Sequence, residues 1–185
     1  MNDTTEELLA HFHSAIDTYP DFPTEGILFR DVSPLFRDIN LLNQGIGILE
    51  NRFNFDQIDI IVGIEARGFP IASLLAKSTN KSMVMARKSG KLPGRVKQKQ
   101  YGLEYGNAAV EIQVNAISQG KKVLIIDDLP ATGGTARATS DLVTDLGAEV
   151  YGLAFLVELV GLNGRDMLSQ TAQIESLITL PAGEQ

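Results

Sequence analysis

The stretch KKVLIIDDLPATGGTARAT, residues 121–139, decides the fold. It passes from a continuous apolar run through two aspartates into a small, glycine-rich turn, and then into a helical pattern. A short apolar run without alternation is typical of a strand that is buried on both faces. A buried strand, a tight turn and a helix in that order predict an α/β domain with a parallel sheet.

The turn in this stretch has the composition of a phosphate site. Its members are small or lack a side chain, so that successive backbone N–H groups can surround an anion at the start of a helix; they are Ala131, Thr132, Gly133, Gly134 and Thr135. Asp127 and Asp128 precede the turn, and carboxylates are good acceptors for the hydroxyls of a ribose. Neither a G-x-x-x-x-G-K-[ST] loop nor a G-x-G-x-x-G fingerprint occurs in the chain, which disfavours nucleotide kinases and dinucleotide enzymes.

Strand and helix patterns alternate outward from this stretch. Predicted strands cover residues 58–64, 83–87, 108–113, 123–127, 149–159 and 174–180. Predicted helices cover residues 2–18, 39–53, 69–79 and 135–146. The alternation predicts a mostly parallel central sheet with helices on both faces, whose ligand sites lie at the carboxyl ends of the strands.

Residues 88–107 have no clear period and contain four glycines, which predicts a long loop, and long loops in compact domains often act as lids. The stretch of residues 81–99, which runs into this loop, holds basic residues and no acid: Lys81, Arg87, Lys88, Lys91, Arg95, Lys97 and Lys99. Such a run either meets an anionic ligand or is a solvated surface.

Length and composition indicate a single globular domain over residues 1–185. The net charge of -7 argues against a nucleic-acid partner, and the absence of cysteine excludes disulfides and thiolate metal sites. The acidic start MNDTTEE lacks the features of a secretory signal, and the apolar residues 151–160 are far fewer than the roughly 20 that a membrane span needs. We therefore expect a cytoplasmic protein that has no membrane partner.

Five segments resemble one known family. VLIIDDLPATGGT closely resembles the phosphoribosyl pyrophosphate motif of the type I phosphoribosyltransferases. FPTEGILFRDVSPLF, GIEARGFPIA, ARKSGKLPG and YGLEYG match the family in order, at residues 22–36, 63–72, 86–94 and 101–106. FPTEGILFRD and YGLEYG are similar to its adenine branch. One departure is Pro130, where the family usually has leucine, and proline fixes the backbone just before the phosphate turn.

The resemblance implies transfer of a phosphoribosyl group from 5-phosphoribosyl 1-pyrophosphate to N9 of adenine, which gives AMP and pyrophosphate. Magnesium is expected on the pyrophosphate, near Asp127 and Asp128, without a set of direct protein ligands. A homodimer is also expected. The alternatives are a phosphoribosyltransferase for another purine base and a non-catalytic sensor of the same sugar donor.

The resemblance also implies how the remaining functional residues divide. Pyrophosphate binding falls to Glu65, Ala66, Arg67, Gly68, Arg87, Lys88 and Lys91. Catalysis falls to Arg67 and to Glu104 and Tyr105 in the lid, over about residues 88–107. Glu104 either handles a proton of adenine, acts electrostatically or orders the lid.

Adenine recognition is implied for a small N-terminal hood, contributed mainly by about residues 20–36. In the family, Leu28 contacts the base through its backbone, Phe29 stacks on the ring and Arg30 hydrogen-bonds to a ring nitrogen. Leu159, at the end of a predicted strand, covers the opposite face of the base or packs in the core, and the two roles are compatible.

Overall fold

The protein is built on a seven-stranded, mostly parallel sheet, seen in a computed structural model that describes residues 5–102, 107–168 and 172–183. The strands are β1 Asp17–Tyr19, β2 Phe29–Asp31, β3 Ile60–Ile64, β4 Ser82–Lys88, β5 Val96–Gly102, β6 Asn107–Gln113, β7 Lys122–Asp127, β8 Glu149–Val160 and β9 Gln173–Pro181. The helices are α1 Thr5–Ser14, α2 Ser33–Arg37, α3 Ile39–Arg52, α4 Gly68–Thr79 and α5 Gly134–Asp145. Two short 3-10 turns cover Phe55–Gln57 and Arg165–Met167.

The strand order is β5-β6-β4-β3-β7-β8-β9, and every neighbouring pair from β4 to β9 is parallel. The chain leaves β3 through α4 toward β4 on one side, and leaves β7 through α5 toward β8 on the other. Such a reversal of direction opens a crevice at the carboxyl ends of the two central strands. The predicted fold class is confirmed, and the crevice lies between β3 and β7.

Two apolar cores cover the two faces of the sheet. Alternate residues of β7 point to opposite cores: Leu124 and Ile126 join the core that contains α1, α3 and α4, whereas Val123 and Ile125 join the core that contains α5. This alternation explains why the strand reads as a continuous apolar run, since both of its faces are buried.

One strand of the main sheet was not predicted. Residues 96–102, which the sequence placed in a long loop, form β5, and β5 pairs antiparallel with β6 from Val96↔Gln113 to Gly102↔Asn107. Its sequence VKQKQYG lacks an apolar face because β5 is the edge strand of the sheet and is largely exposed. Pairing with β6 therefore overrides a weak local propensity.

A two-stranded hood precedes the main sheet. β1 pairs antiparallel with β2, with Thr18 opposite Arg30. The N-terminal helix ends at Ser14, earlier than the predicted residue 18, because the chain enters β1 at Asp17. Within the described residues, no helix combines the length and apolar character that would be needed to cross a bilayer.

Candidate active site

A cavity of about 370 Å³ lies at the carboxyl ends of β3, β4 and β7. Its lining mixes acids, bases and apolar groups: Ile64, Glu65, Ala66, Arg67, Ala86, Arg87, Lys88, Tyr101, Val110, Asp127, Asp128, Leu129 and Thr135. The fold thus brings five of the seven residues predicted for pyrophosphate next to the two aspartates predicted for ribose; the five are Glu65, Ala66, Arg67, Arg87 and Lys88. These residues lie together because they follow parallel strands, whose carboxyl ends meet at one edge of the sheet.

The phosphate turn, residues 131–135, leads directly into α5. Gly133 has a φ of 77°, a left-handed conformation that glycine adopts without strain, and α5 begins without a side-chain cap. Its first backbone N–H groups are therefore available to an anion. Thr135 lines the cavity, while Thr132 and Gly134 line an adjoining hollow beside Tyr101.

Asp127 and Asp128 form a close acidic pair at the end of β7. The backbone N–H of Asp128 donates to Oδ1 of Asp127 over 2.9 Å, and the carbonyl of Asp128 accepts hydrogen bonds from the N–H groups of Leu156 and Val157. Burial, and then the neighbouring charge of Asp128, raise the pKa of Asp127 well above its ordinary value. Backbone hydrogen bonds to β8 thus fix the position of Asp128, and the two carboxylates of the pair could accept hydrogen bonds from a diol.

Arg67 crosses the cavity toward this pair. Its Nε donates to Oδ2 of Asp128 over 2.5 Å, and Asp128 is only 5% exposed. Within the described residues, the two Nη nitrogens of Arg67 make no hydrogen bond, and its side chain is 41% exposed. Asp128 therefore orients the guanidinium and leaves its terminal donors for a ligand.

Gly68 allows α4 to approach β7 closely. A Cβ atom at Gly68 would lie 2.6 Å from the carbonyl oxygen of Ile126 and 3.2 Å from the Cα of Asp127. The peptide bond between Glu65 and Ala66, just before Arg67, is cis. The start of α4 and the end of β7 thus touch through their backbones, and this contact sets the distance between Arg67 and the acidic pair.

Glu65 holds Arg87 in place. The Nε and Nη2 atoms of Arg87 donate to the two carboxylate oxygens of Glu65 over 3.2 and 3.0 Å, and the Lys88 N–H donates to the same group over 2.9 Å. The Arg87 hydrogen bonds are the main reason why the pKa of Glu65 is lowered. Because the Glu65 carboxylate binds the Arg87 guanidinium, Glu65 is better suited to orienting Arg87 than to contacting an anion directly.

Lys91 is not part of the cavity lining among the described residues. Its backbone N–H donates to the buried carboxylate of Glu111 over 2.9 Å, as does that of Leu92 over 2.7 Å, and the Gln98 amide donates to the other oxygen. Sequence reasoning missed Glu111, although a lone acid inside the apolar β6 was a usable signal. Glu111 holds the turn that follows Arg87 and Lys88.

The basic run divides in the structure. Arg87 and Lys88 line the cavity, whereas Lys99 lies 3.7 Å from Asp141 and 3.5 Å from Asp145 on α5, and Lys97 donates to the Asp145 carbonyl. Lys97 and Lys99 thus face α5 and lie outside the cavity lining, so that Arg87 and Lys88 are the members of the run beside the candidate anion site.

The hood lies close to Arg67. The Cζ of Arg67 is 5.8 Å from the centroid of the Phe29 ring, which Phe22 contacts edge-on. Arg30 donates to Thr18 Oγ1 over 2.8 Å and to the Pro181 carbonyl over 3.1 Å. Its Nε is buried without a partner among the described residues.

Leu28 and Leu159 do not share the main cavity. Leu28 lines a separate hollow between the hood and the end of β9, and Leu159 is 9% exposed at the end of β8. Glu104 and Tyr105, the two predicted lid residues, lie outside the described residues. Tyr101, which sequence reasoning did not single out, lines the cavity and would lie 3.3 Å from a Cβ atom at Gly134.

The cavity suits a magnesium ion that arrives with a polyphosphate. Among the described residues, no group of three or more His, Cys, Asp or Glu side chains could hold a metal. Asp127 and Asp128 offer carboxylate oxygens, but one oxygen of Asp128 already pairs with Arg67. Mg²⁺ is commonly held by one or two carboxylates together with substrate phosphates, and this donor set fits that arrangement.

Comparison with known proteins identifies the family. A profile described as phosphoribosyl transferase domain matches residues 38–172. Adenine phosphoribosyltransferase of Nitrosopumilus maritimus is 46% identical over 155 residues, which cover 84% of this chain and 91% of the relative. The structure of the enzyme of that name from Rhodothermus marinus has a TM-score of 0.89 and 42% identity, and the match covers 95% of this chain and 99% of that one. Its counterpart from Saccharomyces cerevisiae has a TM-score of 0.86 and 40% identity, and the match covers 93% and 99%. The chain belongs to the adenine phosphoribosyltransferases, within the phosphoribosyl transferase domain family.

Proposed function

We propose that the protein transfers the 5-phosphoribosyl group of 5-phosphoribosyl 1-pyrophosphate to N9 of adenine, a reaction of purine salvage. The products are AMP and pyrophosphate. The observation that carries the proposal is the meeting of Arg67, the acidic pair and the phosphate turn in one cavity. The names of the relatives support adenine as the acceptor.

The sugar donor is proposed to bind with its 5-phosphate on the phosphate turn and its diol on Asp127 and Asp128. The uncapped start of α5 favours the phosphate, and carboxylates accept hydroxyl hydrogens. One end of the sugar is then fixed by backbone N–H groups and the other by side chains. The anomeric carbon is left pointing toward the Arg67 side of the cavity.

Pyrophosphate leaves as the bond from N9 to the anomeric carbon forms and the bond from that carbon to oxygen breaks, with positive charge developing on the sugar as in glycoside cleavage. Arg67 is proposed to stabilise the departing oxygens with its free Nη donors. Arg87 and Lys88 add positive charge at the same wall, where Ala66 also lies. Gly68, which follows Arg67, is proposed to let the backbone approach the pyrophosphate. Magnesium, when bound to the pyrophosphate, would neutralise part of its charge.

For the lid residues Glu104 and Tyr105, we propose the roles that the family resemblance implies. Tyr105 closes over the reacting centre, and Glu104 receives or relays the proton that N9 of adenine loses, acts electrostatically or orders the lid. Tyr101, in the same segment, lines the cavity, so closure of this segment would exclude water from the sugar cation.

Adenine recognition is proposed for the hood. The yeast structure is described as a complex with adenine and an imino-altritol bisphosphate. In this chain, Phe29 would stack on the base, the Leu28 backbone and Arg30 would read its edge, and Leu159 would cover the other face. A 6-oxo purine reverses the hydrogen-bond donor and acceptor at positions 6 and 1. A backbone N–H and C=O that match adenine would therefore find no hydrogen-bond partners on such a base.

We further propose a homodimer and a cytoplasmic location. The family resemblance supports the first, and the absence of cysteine fits the second. Light scattering of the purified protein tests the dimer, and cell fractionation tests the compartment.

The proposal is tested by incubating the purified protein with adenine, the sugar donor and Mg²⁺, and measuring AMP and pyrophosphate. We expect equal amounts of both products, and no product when a chelator removes the metal. Binding of the sugar donor without formation of AMP would instead support a sensor.

A further inference from the structure

The segment that follows β8 packs directly on the phosphate turn. We call residues 161–168 the strap. A Cβ atom at Gly164 would lie 2.5 Å from the Pro130 carbonyl oxygen and 2.7 Å from that of Ala131, and a Cβ at Gly133 would clash with the Gly164 carbonyl. The two backbones are therefore in contact, with no room for a side chain at Gly164 or Gly133.

The strap supports the turn from outside the cavity. None of its described residues lines the main cavity. Its Met167 carbonyl accepts a hydrogen bond from Arg137 of α5 over 3.1 Å, and Leu168 is buried in the core beneath α5. Within the described residues, no hydrogen bond outside helices and strands restrains residues 129–132. This segment is therefore restrained by packing, of Leu129 against the apolar core and of Pro130 and Ala131 against the strap.

An ion pair fixes the strap to the sheet. Arg165 Nε and Nη2 donate to the two carboxylate oxygens of Glu158, each over 2.8 Å, and Nη1 donates to the Ile174 carbonyl over 3.2 Å. Ser176 Oγ donates to Glu158 over 2.9 Å. The Glu158 side chain is only 14% exposed, and its pKa is lowered chiefly by the Arg165 hydrogen bonds. A bidentate pair of this kind restricts orientation as well as distance.

We propose that Arg165 and Glu158 are positioning residues for the ribose 5-phosphate: their ion pair holds the strap, and the strap holds the phosphate turn in its binding conformation. This inference rests on the proposed function of that turn. Neither side chain lines the main cavity. Because the strap packs on the phosphate turn, loss of the ion pair is expected to weaken binding of the sugar donor and to leave binding of the base unchanged.

Two kinds of variant separate positioning from general stability. Arg165→Met and Glu158→Gln break the ion pair, and Arg165→Lys keeps the charge but loses the planar fork. Gly164→Ala leaves the pair intact and pushes the strap off the turn. The matched control is Arg52→Met, which removes an arginine that lies 3.6 Å from Glu175 and donates to the Ser176 carbonyl.

Calorimetry with ribose 5-phosphate and steady-state kinetics provide the readout. We expect Arg165→Met and Gly164→Ala to weaken ribose 5-phosphate binding and raise KM for the sugar donor about tenfold, with KM for adenine nearly unchanged. Glu158→Gln should act in the same direction, Arg165→Lys should be intermediate, and Arg52→Met should match the wild type.

The inference is overturned if Arg165→Met and Gly164→Ala lower the melting temperature but leave ribose 5-phosphate binding unchanged. If Arg165→Met does not fold, Arg165→Lys and Gly164→Ala decide the question. A wild-type protein that binds ribose 5-phosphate but makes no AMP would refute the proposed reaction, and the binding comparison would still judge the strap. A wild-type protein that binds no ribose 5-phosphate would refute both.

Discussion

Replacing Gly68 by alanine should damage catalysis more than it damages the fold. The new Cβ would lie 2.6 Å from the Ile126 carbonyl oxygen, about 0.8 Å short of an ordinary contact, and the opposing atoms are backbone. Either the start of α4 or the end of β7 must move by most of that amount. Since Arg67 precedes α4 and Asp127 ends β7, the proposed pyrophosphate and ribose sites would separate.

A misplacement of about 1 Å can cost about a hundredfold in rate, so we expect kcat/KM for the sugar donor to fall between about tenfold and a hundredfold. Overpacking should lower the free energy of unfolding by about 1–3 kcal/mol. Initial rates with varied sugar donor at saturating adenine measure the first effect, and denaturant unfolding of the same preparation measures the second.

Gly47→Ala is the matched control. Gly47 lies within α3, and a Cβ atom there would meet nothing within 4 Å. Alanine should raise the free energy of unfolding by about 0.5–1 kcal/mol, because it has the better helix propensity, and should leave activity unchanged. The reasoning is refuted if folded Gly68→Ala keeps the kcat/KM of the wild type.

Three further changes test other parts of the site. Because burial and the Asp128 charge raise the pKa of Asp127, the folded protein holds this proton more tightly than the unfolded chain does, and the contribution of Asp127 to stability is lost as pH rises through the raised pKa. Asp127→Asn should therefore melt at a higher temperature than the wild type near pH 7, and the difference in melting temperature should be smaller near pH 4. The variant should also bind the sugar donor more weakly. A melting temperature below that of the wild type near pH 7 would contradict this reasoning. Glu111→Gln should lower the free energy of unfolding by about 1–3 kcal/mol, since the amide cannot accept all the hydrogen bonds that this buried carboxylate accepts, and denaturant unfolding measures the loss. Glu104→Ala should lower kcat more than it weakens binding of either substrate, and an unchanged kcat would remove Glu104 from the mechanism.

Those parts of the fold that depend on local pattern could be predicted. The apolar run of β7 and the helical pattern after it predict a parallel sheet, and β3 and β7 then place Arg67 beside Asp127 and Asp128 at the crevice. These residues follow strands directly, so the topology alone brings them together.

Contacts between distant segments could not be predicted. β5 has no apolar face because it lies at the sheet edge, and only its pairing with β6 makes it a strand. The sequence could not tell whether Lys97 and Lys99 meet an anionic ligand or solvent, because their partners, the Asp145 carbonyl and the Asp141 and Asp145 carboxylates, lie on the distant α5. The pairing of Arg165 with Glu158 could not be predicted from the sequence either, since the position of the strap depends on how β8 and α5 pack.

The choice of acceptor base tests the central claim most directly. The purified protein is offered adenine, hypoxanthine and guanine in equal amounts, with 5-phosphoribosyl 1-pyrophosphate and Mg²⁺, and the nucleotides formed are separated and measured. The proposed reading of the base by the hood predicts that AMP is the dominant product. Dominant formation of IMP or GMP would contradict it.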